Sequence, residues 1–563
     1  MIMERSEDPF LVDGLHVEGE VEGDGGSVLT ANLVLDLVGE VVLTLNPNGL
    51  SWKVVETPDN ELSASSCLGR KSSRTDMGIN FSDVYAVEFI NWGLIHELTP
   101  QNASPCLPRR YSEMYHFTVH AFQRSKKQPS LWVPVAYTFA HEDLNTCQIW
   151  VNRIEAFLSR ESERPKSLLV LVNPRSGKQS GYRVWETVAP IFFRAKVKTK
   201  VMVTQRAGHA FDLMVSMPDQ ELSSYDGVLA VGGDGFFNEI LNGLLLSRHK
   251  APYPPAPNDL VQAESSDTNV LVFDSSAKNS DQGEVDSPLL LNSGNNLLQL
   301  SKSGSEDGYC NIDQDPYFQL PNEQFRFGII PAGSTDAIVI TTGARDPVTS
   351  ALHIVLGKRV SLDIAQVIRW KKTALSKVEP FIRYAASFAG YGFYGDVITE
   401  SEKYRWMGPV RYDYAGTKVF LRHRSYEAEV TYLEVKPEVR NSDQENAILD
   451  SQKKSERLVC KANCSICNTR PDSASTRGVA SPNSLFSDKS RWLRSKGRFL
   501  SIGAAIISCR NEKAPDGLTP AFTFTSYGDE SVWNVDGEML RAHQLSAQVF
   551  RGLISLFATG PDT

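Results

Sequence analysis

The segment from 227 to 243 constrains the fold of this chain more than any other stretch. An apolar strand that ends at Val231 runs into the turn Gly-Gly-Asp-Gly at 232–235, and an amphipathic helix follows. Glycines let a ligand approach the backbone closely, and the amides at the start of a helix point towards an anion. The pattern predicts a phosphate site with Asp234 beside it, where a carboxylate can accept a proton during phosphoryl transfer. The alternative is that Asp234 only caps the helix.

Size and charge exclude several classes of protein. A chain of 563 residues allows about two to four domains, and 41% hydrophobic with 22% charged residues is typical of soluble globular proteins. The net charge of -9 argues against a general nucleic-acid binder, so no nucleic-acid partner is expected. The first residues lack the basic and apolar regions of a secretory signal, and no run of about 18 apolar residues predicts a membrane span. We therefore expect a cytoplasmic protein.

Residues 1–160 have the pattern of one unit. Short β-type runs at 41–45, 50–55, 84–90 and 114–119 are separated by polar loops, and a helix follows them. Strands closed by one C-terminal helix with a tryptophan resemble a pleckstrin-homology domain. The helix is predicted from apolar residues at helical spacing, which are Leu144, Cys147, Trp150, Val151, Ile154 and Leu158. Six basic residues are candidates for a lipid head group or, alternatively, for solvated loops: Arg70, Lys71, Arg74, Arg124, Lys126 and Lys127.

The rest of the chain divides into two predicted parts. Residues 165–344 alternate strands and helices, which predicts a Rossmann-like α/β layer, whereas residues 345–563 show the strand spacing of an antiparallel β-sandwich. Residues 250–322 are rich in Ser, Asn, Asp and Pro and are predicted to be a disordered insertion. A second polar insertion is predicted at 437–490. The predicted strands lie at 168–172, 200–204, 228–231, 325–331, 361–370, 381–388, 427–435, 498–507 and 522–533.

A second glycine loop, Asn-Pro-Arg-Ser-Gly-Lys at 173–178, follows the buried strand at 168–172. It is not a Walker A loop, because Val172 stands where that motif has its first glycine and Gln179 replaces the Ser or Thr that binds magnesium. Its amides can nevertheless surround a phosphate, and Arg175 and Lys178 supply positive charge.

Two more loops follow predicted strands, Thr-Gln-Arg-Ala-Gly at 204–208 and Pro-Ala-Gly-Ser-Thr-Asp at 331–336. Small hydroxyl residues at the start of a helix suit contacts with phosphate. Because the carboxyl ends of parallel strands meet at one edge of a sheet, we expect all of these loops to converge there, where open α/β folds bind ligands. The sequence therefore predicts a nucleotide site at this edge.

The ordered set NPRSGK, VTQRAGHA, GGDGFFNEILNGL and PAGSTD resembles the diacylglycerol-kinase catalytic family, which includes diacylglycerol, sphingosine and ceramide kinases. Residues 401–412 and 536–538 resemble the nucleotide-closing segments of that family, and the resemblance covers about 165–550. It implies an ATP-dependent lipid kinase that uses Mg²⁺ with ATP and works at a membrane surface without spanning it. Candidate docking regions are the pleckstrin-like unit and the basic-aromatic stretch 491–499, which has the alternative of a strand with a solvated face.

The resemblance also assigns roles to residues. It makes Asp234 the proton acceptor and implies that the lipid substrate lies near the turn at 232–235. The implied substrate contacts are Gly232, Gly233, Asp234, Gly235, Asp396 and Ile398. The implied ATP contacts are Asn173, Pro174, Arg175, Ser176, Gly177, Lys178, Thr204, Gln205, Arg206, Ala207, Gly208, Glu239, Gly333, Ser334, Thr335, Arg405, Arg411, Asp536, Gly537 and Glu538.

The residue at 398 bears on the choice of lipid. Sphingosine kinases have an added aspartate after Gly-Asp-Val, which meets the substrate's ammonium group, but Ile398 stands at that position here. An ammonium group would lose its partner, whereas the neutral amide of ceramide would lose nothing. The spacing Cys460-x3-Cys464-x2-Cys467 resembles the cysteine signature of ceramide kinases, as does a pleckstrin-like unit. The resemblance therefore favours ceramide as the substrate, in an enzyme of the plant type.

Several alternatives stay open. Three cysteines are one ligand short of a tetrahedral Zn²⁺ site, so Cys509 or a histidine would have to complete it, and a redox or structural role is the alternative. A role for Ca²⁺ is also open. Sphingosine or diacylglycerol kinase is the rival activity, and a catalytically silent lipid-binding scaffold is the rival of another class. The intact Asp234, Lys178 and Asp-Gly-Glu at 536–538 argue against a silent protein.

Overall fold

The structure is a computed structural model, and its chain divides into two compact units. The first consists of residues 1–166, 188–198 and 351–357, and the second of 167–187, 199–350 and 358–563. Residues 259–321 of the insertion predicted at 250–322, and the whole insertion predicted at 437–490 with Cys460, Cys464 and Cys467, lie outside the described residues. So do Arg70, Lys71, Arg74, Ser334, Thr335 and Cys509. The described residues are 15–17, 28–55, 77–96, 111–258, 322, 324–333, 337–343, 345–372, 378–408, 410–434, 491–506, 521–528 and 531–560.

The first unit contains one antiparallel sheet, and its strands include all four runs predicted from the sequence. The strand order is β5-β4-β3-β2-β8-β7-β6, with β1 paired to β2. Alternating buried and exposed residues along β2 and β3 show that one face of the sheet packs on the core. The strands are β1 (Leu15–Val17), β2 (Leu29–Leu35), β3 (Gly39–Asn46), β4 (Gly49–Val54), β5 (Met77–Asn80), β6 (Val84–His96), β7 (Tyr111–Arg124) and β8 (Trp132–His141).

Helix α1 (Leu144–Ser159) follows the last strand, as predicted. It begins there because the Asp143 carboxylate accepts a hydrogen bond of 2.8 Å from the Thr146 amide, which is otherwise unpaired at a helix start. Trp150 is fully buried and stacks with Phe117 in the core of the unit. Leu144 differs from the prediction, because it is 40% exposed at the first turn.

Residues 167–355 alternate strands and helices, as the sequence predicts. Strand β11 pairs in parallel with β9 on one side and β12 on the other, and the three strands are almost entirely buried, which explains their unbroken apolar runs. The elements are β9 (Ser167–Val172), α2 (Ser176–Gln179), α3 (Gly181–Arg194), β10 (Lys198–Val203), α4 (His209–Ser216), α5 (Asp219–Leu222), β11 (Gly227–Gly232), α6 (Asp234–Arg248), β12 (Arg326–Pro331), α7 (Ala337–Thr342) and α8 (Pro347–Val355).

The remaining residues are mainly strands, but two of the predicted ones are each divided. The run 498–507 breaks at Leu500, and the run 522–533 becomes two strands that belong to different sheets. Three further strands and two helices had not been predicted. The elements are β13 (Val360–Lys372), β14 (Val378–Ala385), β15 (Phe388–Gly392), α9 (Phe393–Glu402), α10 (Val410–Arg422), β16 (Tyr426–Glu434), β17 (Arg491–Phe499), β18 (Ser501–Ala505), β19 (Ala521–Ser526), β20 (Trp533–Val535), β21 (Glu538–Leu540) and β22 (Gln544–Leu556).

Strand β22, one of those that the sequence pattern missed, joins the two predicted parts of the second unit. It pairs in parallel with β12 and antiparallel with β13 and β19, so that ten strands form a single mixed sheet. A second sheet has the order β18-β15-β20-β21. Tyr391 and Trp533 of this smaller sheet share a buried core with Phe524 of the larger one. The fold is therefore mixed α/β, with the parallel strands continuous with the antiparallel ones.

The start of the predicted insertion at 250 needs correction. Residues 250–258 are described and lie along β22: the Gln548 side-chain amide donates to the Pro252 carbonyl and the Ser546 hydroxyl donates to the Pro255 carbonyl, both at 2.7 Å. Proline and asparagine predict a loop here, but a loop whose carbonyls are used by buried polar side chains is ordered. The prediction of disorder from 250 to 258 is therefore wrong.

None of the helices in the described part of the chain is both long and apolar enough to cross a membrane. The basic-aromatic stretch 491–499 is strand β17, which pairs with β16 along its whole length. Its alternative interpretation as a strand is thus confirmed.

Candidate functional site

The predicted glycine loops meet at the carboxyl edge of the parallel strands. Val172 is level with Val231, and Gly232 is level with Pro331, so β9, β11 and β12 end side by side. The Asn173 amide donates to the Val231 carbonyl at 3.1 Å, and the Ala332 amide donates to the Gly232 carbonyl at 3.0 Å. Register and hydrogen bonds thus confirm the predicted convergence of these loops.

The loop at 204–208 reaches the same edge. Both the amide and the hydroxyl of Thr204 donate to the Val172 carbonyl, at 2.9 and 3.2 Å. Thr204 is buried, and Gly208 ends the loop in the left-handed conformation, with φ of +77°. Glycine is favoured there, because any side chain would be strained at that φ. The hydroxyl predicted to contact the nucleotide is therefore bound to the neighbouring strand.

Gly177 shows how closely two of the loops approach each other. Its φ is +60°, and a Cβ atom at this position would lie 2.5 Å from the Ala332 carbonyl oxygen. Only glycine therefore allows the loop at 173–178 to pack against the loop that follows β12. Within the first loop, the Asn173 side chain accepts a hydrogen bond of 3.0 Å from the Arg175 amide, while Arg175 itself stays exposed.

Asp234 is buried at the start of α6, with 5% of its surface exposed, and its carboxylate faces α7. One carboxylate oxygen accepts a hydrogen bond of 2.6 Å from the Ala337 amide, and the other accepts one of 3.4 Å from the Ile338 amide. The N-cap of α6 is Gly233, so the alternative that Asp234 caps its own helix is wrong. Asp234 instead caps α7, the helix that the 331–336 loop enters.

Asp536 links the terminal Asp-Gly-Glu turn to α6. Its carboxylate accepts a hydrogen bond of 2.9 Å from the Asn238 side-chain amide, one helical turn beyond Asp234. It also accepts backbone hydrogen bonds from Ala386, Ser387 and Phe388 at 2.6 to 2.9 Å. These partners occupy the carboxylate of Asp536, so its observed role is to join three distant segments.

Asn242 fastens α6 to β14. Its side chain donates to the Tyr384 carbonyl at 3.0 Å and accepts from the Tyr384 amide at 2.8 Å, as a neighbouring strand would. Asn238 and Asn242 are both buried. The sequence analysis missed this pair, although two amide residues four positions apart in a largely apolar helix were a usable signal, because buried polar groups need partners.

We expect Asn242→Ala to destabilise the protein by about 2–4 kcal/mol, since it leaves the amide and carbonyl of Tyr384 without their side-chain partner inside the core. Urea unfolding followed by circular dichroism measures the effect. Asn258→Ala is the matched control, because Asn258 accepts an exposed hydrogen bond from Gln544, and its change should stay within about 0.5 kcal/mol. Equal midpoints for the two variants would contradict the fastening role of Asn242.

Two further predicted ATP residues, Glu239 and Glu538, are half-buried carboxylates near each other. Glu239 accepts hydrogen bonds of 2.8 and 3.4 Å from the Ala210 and Phe211 amides at the start of α4. Glu538 forms an ion pair of 3.2 Å with Arg383. Burial raises the pKa of both carboxyl groups, and the negative charge of Glu538 further raises the pKa of Glu239. Glu239 thus holds the helix that follows the 204–208 loop.

Arg405 and Arg411 share the Glu402 carboxylate. Arg405 is hydrogen-bonded to it and is 73% exposed, whereas Arg411 lies 3.7 Å from it and stacks on Tyr412. The hydrogen bonds and ion pairs of both arginines stay within residues 402–412. These contacts do not bring either arginine to the group around Asp234.

Asp396 and Ile398, the two predicted lipid contacts outside the 232–235 turn, lie on α9. Asp396 accepts hydrogen bonds from the Tyr426 hydroxyl and, at 2.9 Å, from the Ser531 hydroxyl. Burial, followed by the hydrogen bond to Asp396, raises the pKa of Tyr426. Ile398 is 4% exposed. The position that carries an added aspartate in sphingosine kinases is thus buried here.

An apolar cavity lies among the strands of the second unit. The cavity is lined by Ala365, Val367, Ala389, Ala504, Ile506, Phe522, Ala547 and Val549, four of them alanines.

Within the described ranges, no three His, Cys, Asp or Glu side chains lie close enough to hold a metal ion. The predicted Zn²⁺ ligands lie outside those ranges, and nothing described supports Ca²⁺.

Known ceramide kinases and the diacylglycerol kinase catalytic domain resemble this chain in sequence. Residues 167–256 match the model of the diacylglycerol kinase catalytic domain. A ceramide kinase of Arabidopsis thaliana is 50% identical over 96% of this chain and 97% of its own length. A ceramide kinase of Oryza sativa subsp. japonica is 45% identical over 94% of this chain and 99% of its own length. A solved diacylglycerol kinase from Bacillus anthracis str. Sterne, 10% identical, covers 70% of this chain and 97% of its own, with a TM-score of 0.36.

Proposed function

The chain belongs to the ceramide kinase family, and from this membership we propose that it transfers the γ-phosphoryl group of ATP to the primary hydroxyl of ceramide. The observation that carries the proposal is the convergence of the glycine loops after β9, β11 and β12 beside Asp234. That arrangement is suited to phosphoryl transfer, in which the protein chiefly positions the reactants and balances their charge.

The nucleotide binds in a cradle between the loops at 173–178 and 204–208, and the family resemblance adds residues 333–335 to its contacts. Mg²⁺ would enter with ATP as part of the substrate and would offset the negative charge of the phosphates. Lys178 supplies positive charge, and the family resemblance adds Arg405 and Arg411. Because Asp536 and Glu239 are bound to protein groups, we propose that they act by holding the cradle in place, while Gly537, with φ of +89° and open space around it, lets ATP approach the backbone.

Asp234 accepts the proton of the ceramide hydroxyl. Transition states of phosphoryl transfer are loose, so the hydroxyl proton can leave late, and the acid mainly orients the hydroxyl before it receives that proton. The Ala337 and Ile338 amides support this role, since they hold the carboxylate in one orientation. The exposed Gly235 beside it leaves room for the reacting groups.

The lipid end of the site is assigned to the antiparallel part of the second unit, as a β-sandwich-like lipid half at 345–563. The apolar lining of the cavity between its two sheets supports this assignment, because hydrocarbon chains bind among apolar side chains. We also propose that the first unit is pleckstrin-like, and that the enzyme works on the cytoplasmic face of a membrane as a peripheral protein. The sheet closed by α1 supports the first of these assignments.

The direct test offers the purified protein labelled ATP and Mg²⁺ with ceramide, sphingosine and diacylglycerol in mixed micelles. Label should appear in ceramide 1-phosphate in clear excess over the other two products. Preferred labelling of sphingosine or diacylglycerol would reject the substrate assignment, and no labelling of any lipid would favour a silent scaffold.

Position 398 allows a test of the lipid preference. Ile398→Asp should raise the sphingosine-to-ceramide ratio of kcat/KM about tenfold, because a carboxylate partner for the ammonium group is worth about 1.5–3 kcal/mol. Ile398→Asn is the matched control, since Ile398 is buried and both variants place a polar side chain there. If the two variants show the same ratio, the residue at 398 does not select the lipid.

A further inference from the structure

Helix α10 presents apolar side chains to solvent. Its buried residues are Ala415 and Val419, which lie one turn apart and face the protein. A surface helix ordinarily has a polar outer side, whereas the exposed side of this one carries large apolar residues beside polar ones such as Asp413 and Thr417. Its exposed large apolar residues, with those of the preceding turn, are Trp406 (82% exposed), Val410 (59%), Tyr414 (47%), Phe420 (66%) and Leu421 (77%), which we name the α10 face.

The α10 face extends over the length of the helix. Val410, Tyr414 and Leu421 are separated by four and seven residues, which places them on one side of the helix, whereas Phe420 points about 100° away from Leu421. Single exposed apolar side chains are common on proteins, but a group of large ones on one element marks an interaction surface.

Positive charge surrounds the α10 face. Residues 400–424 contain six basic and three acidic side chains, a surplus of three positive charges in a chain whose net charge is -9. The buried Glu400 carboxylate lies 3.0 Å from the ammonium of Lys403, 2.6 Å from that of Lys418 and 3.5 Å from Arg422. Hydrogen bonds from Lys418 and Lys403 lower the pKa of Glu400 to about 2, so the carboxylate stays ionised and holds these cations beside the helix.

We propose that the α10 face docks the enzyme on an anionic lipid membrane. Trp406, Phe420 and Leu421 enter the boundary between head groups and acyl chains, and the surrounding cations contact lipid phosphates. This inference rests on the proposed function, because water-insoluble ceramide reaches the enzyme at the membrane surface. It moves the docking region from 491–499, which is paired in the sheet, to α10.

The test measures co-sedimentation of the full chain with phosphatidylcholine vesicles, with and without phosphatidylserine. The variant Trp406→Ser/Phe420→Ser/Leu421→Ser should bind the anionic vesicles at least about tenfold more weakly than the wild type. The matched control is Leu37→Ser/Phe193→Ser/Tyr253→Ser, which removes exposed apolar side chains elsewhere (64%, 79% and 49% exposed) and should bind as the wild type does. Raised salt should weaken wild-type binding.

A second readout separates this inference from the proposed function. On a short-chain ceramide dissolved without vesicles, the double variant Phe420→Ser/Leu421→Ser, which leaves residues 401–412 unchanged, should keep the wild-type kcat, whereas on ceramide in anionic vesicles its rate should fall with its binding. If the wild type does not phosphorylate ceramide, the proposed function fails, while sedimentation still decides the docking surface.

Three results would overturn the docking surface: unchanged vesicle binding by the α10 variant, an equal loss in the control variant, or no binding of anionic vesicles by the wild type.

Discussion

Replacing Asp234 by asparagine should leave the protein folded and able to bind ATP while reducing ceramide phosphorylation by about two to four orders of magnitude. The side-chain oxygen of asparagine can still accept the hydrogen bond from the Ala337 amide, so the cap on α7 is largely kept. It cannot accept the proton of the lipid hydroxyl. Single-turnover kinetics with ceramide measure the loss, and nucleotide binding is followed by calorimetry.

Asp234→Ala separates capping from catalysis. This variant loses both the proton acceptor and the cap, so its melting temperature should fall below that of the asparagine variant, while the loss of activity should be similar. Near-wild-type turnover of Asp234→Asn would remove the base role. An activity that follows melting temperature across the two variants would show that Asp234 acts only through α7.

Gly235 is the second position at which a large effect is expected. It lies in the first turn of α6, is exposed, and a Cβ atom there would meet no protein atom within 4 Å. Gly235→Ala should therefore stabilise the fold by roughly 0.5–1 kcal/mol, because alanine costs less entropy in a helix. Activity should nevertheless fall, since the added methyl group occupies space reserved for the reacting phosphate and lipid. Gly235→Asp should lose about a hundredfold or more through bulk and repulsion of phosphate.

Gly416→Ala is the matched control for Gly235→Ala, because it also adds a methyl group to a helical glycine with nothing within 4 Å. It should gain similar stability and keep its activity on dissolved short-chain ceramide. Thermal unfolding and steady-state rates are compared for both variants. If Gly235→Ala is as active as Gly416→Ala, the open space at Gly235 does not face the reactants.

Local pattern predicted much of the fold and the place of the site. The apolar runs at 168–172 and 228–231 predicted buried strands, and the glycines after them predicted loops at one edge, because a parallel sheet aligns its carboxyl ends. The local pattern missed β22, whose strand signal follows several short strands near the end of the chain. It also did not show that the carboxylates of Asp536 and Glu239 bind backbone amides. The spacing of apolar residues does not predict which hydrogen-bond donor a carboxylate will bind.

The sequence by itself determined that glycine-containing loops follow the buried parallel strands, with Asp234 in one of them. The reason is that such tight turns favour glycine over residues with side chains. Only the tertiary structure decided what that aspartate and its neighbours touch. Asn238 and Asp536 form a hydrogen bond across 298 residues of chain, and several large apolar side chains of α10 face solvent and not the core. The hydrogen bond and the exposure of α10 both depend on how distant segments pack. The spacing of residues near each other in the sequence does not predict such packing.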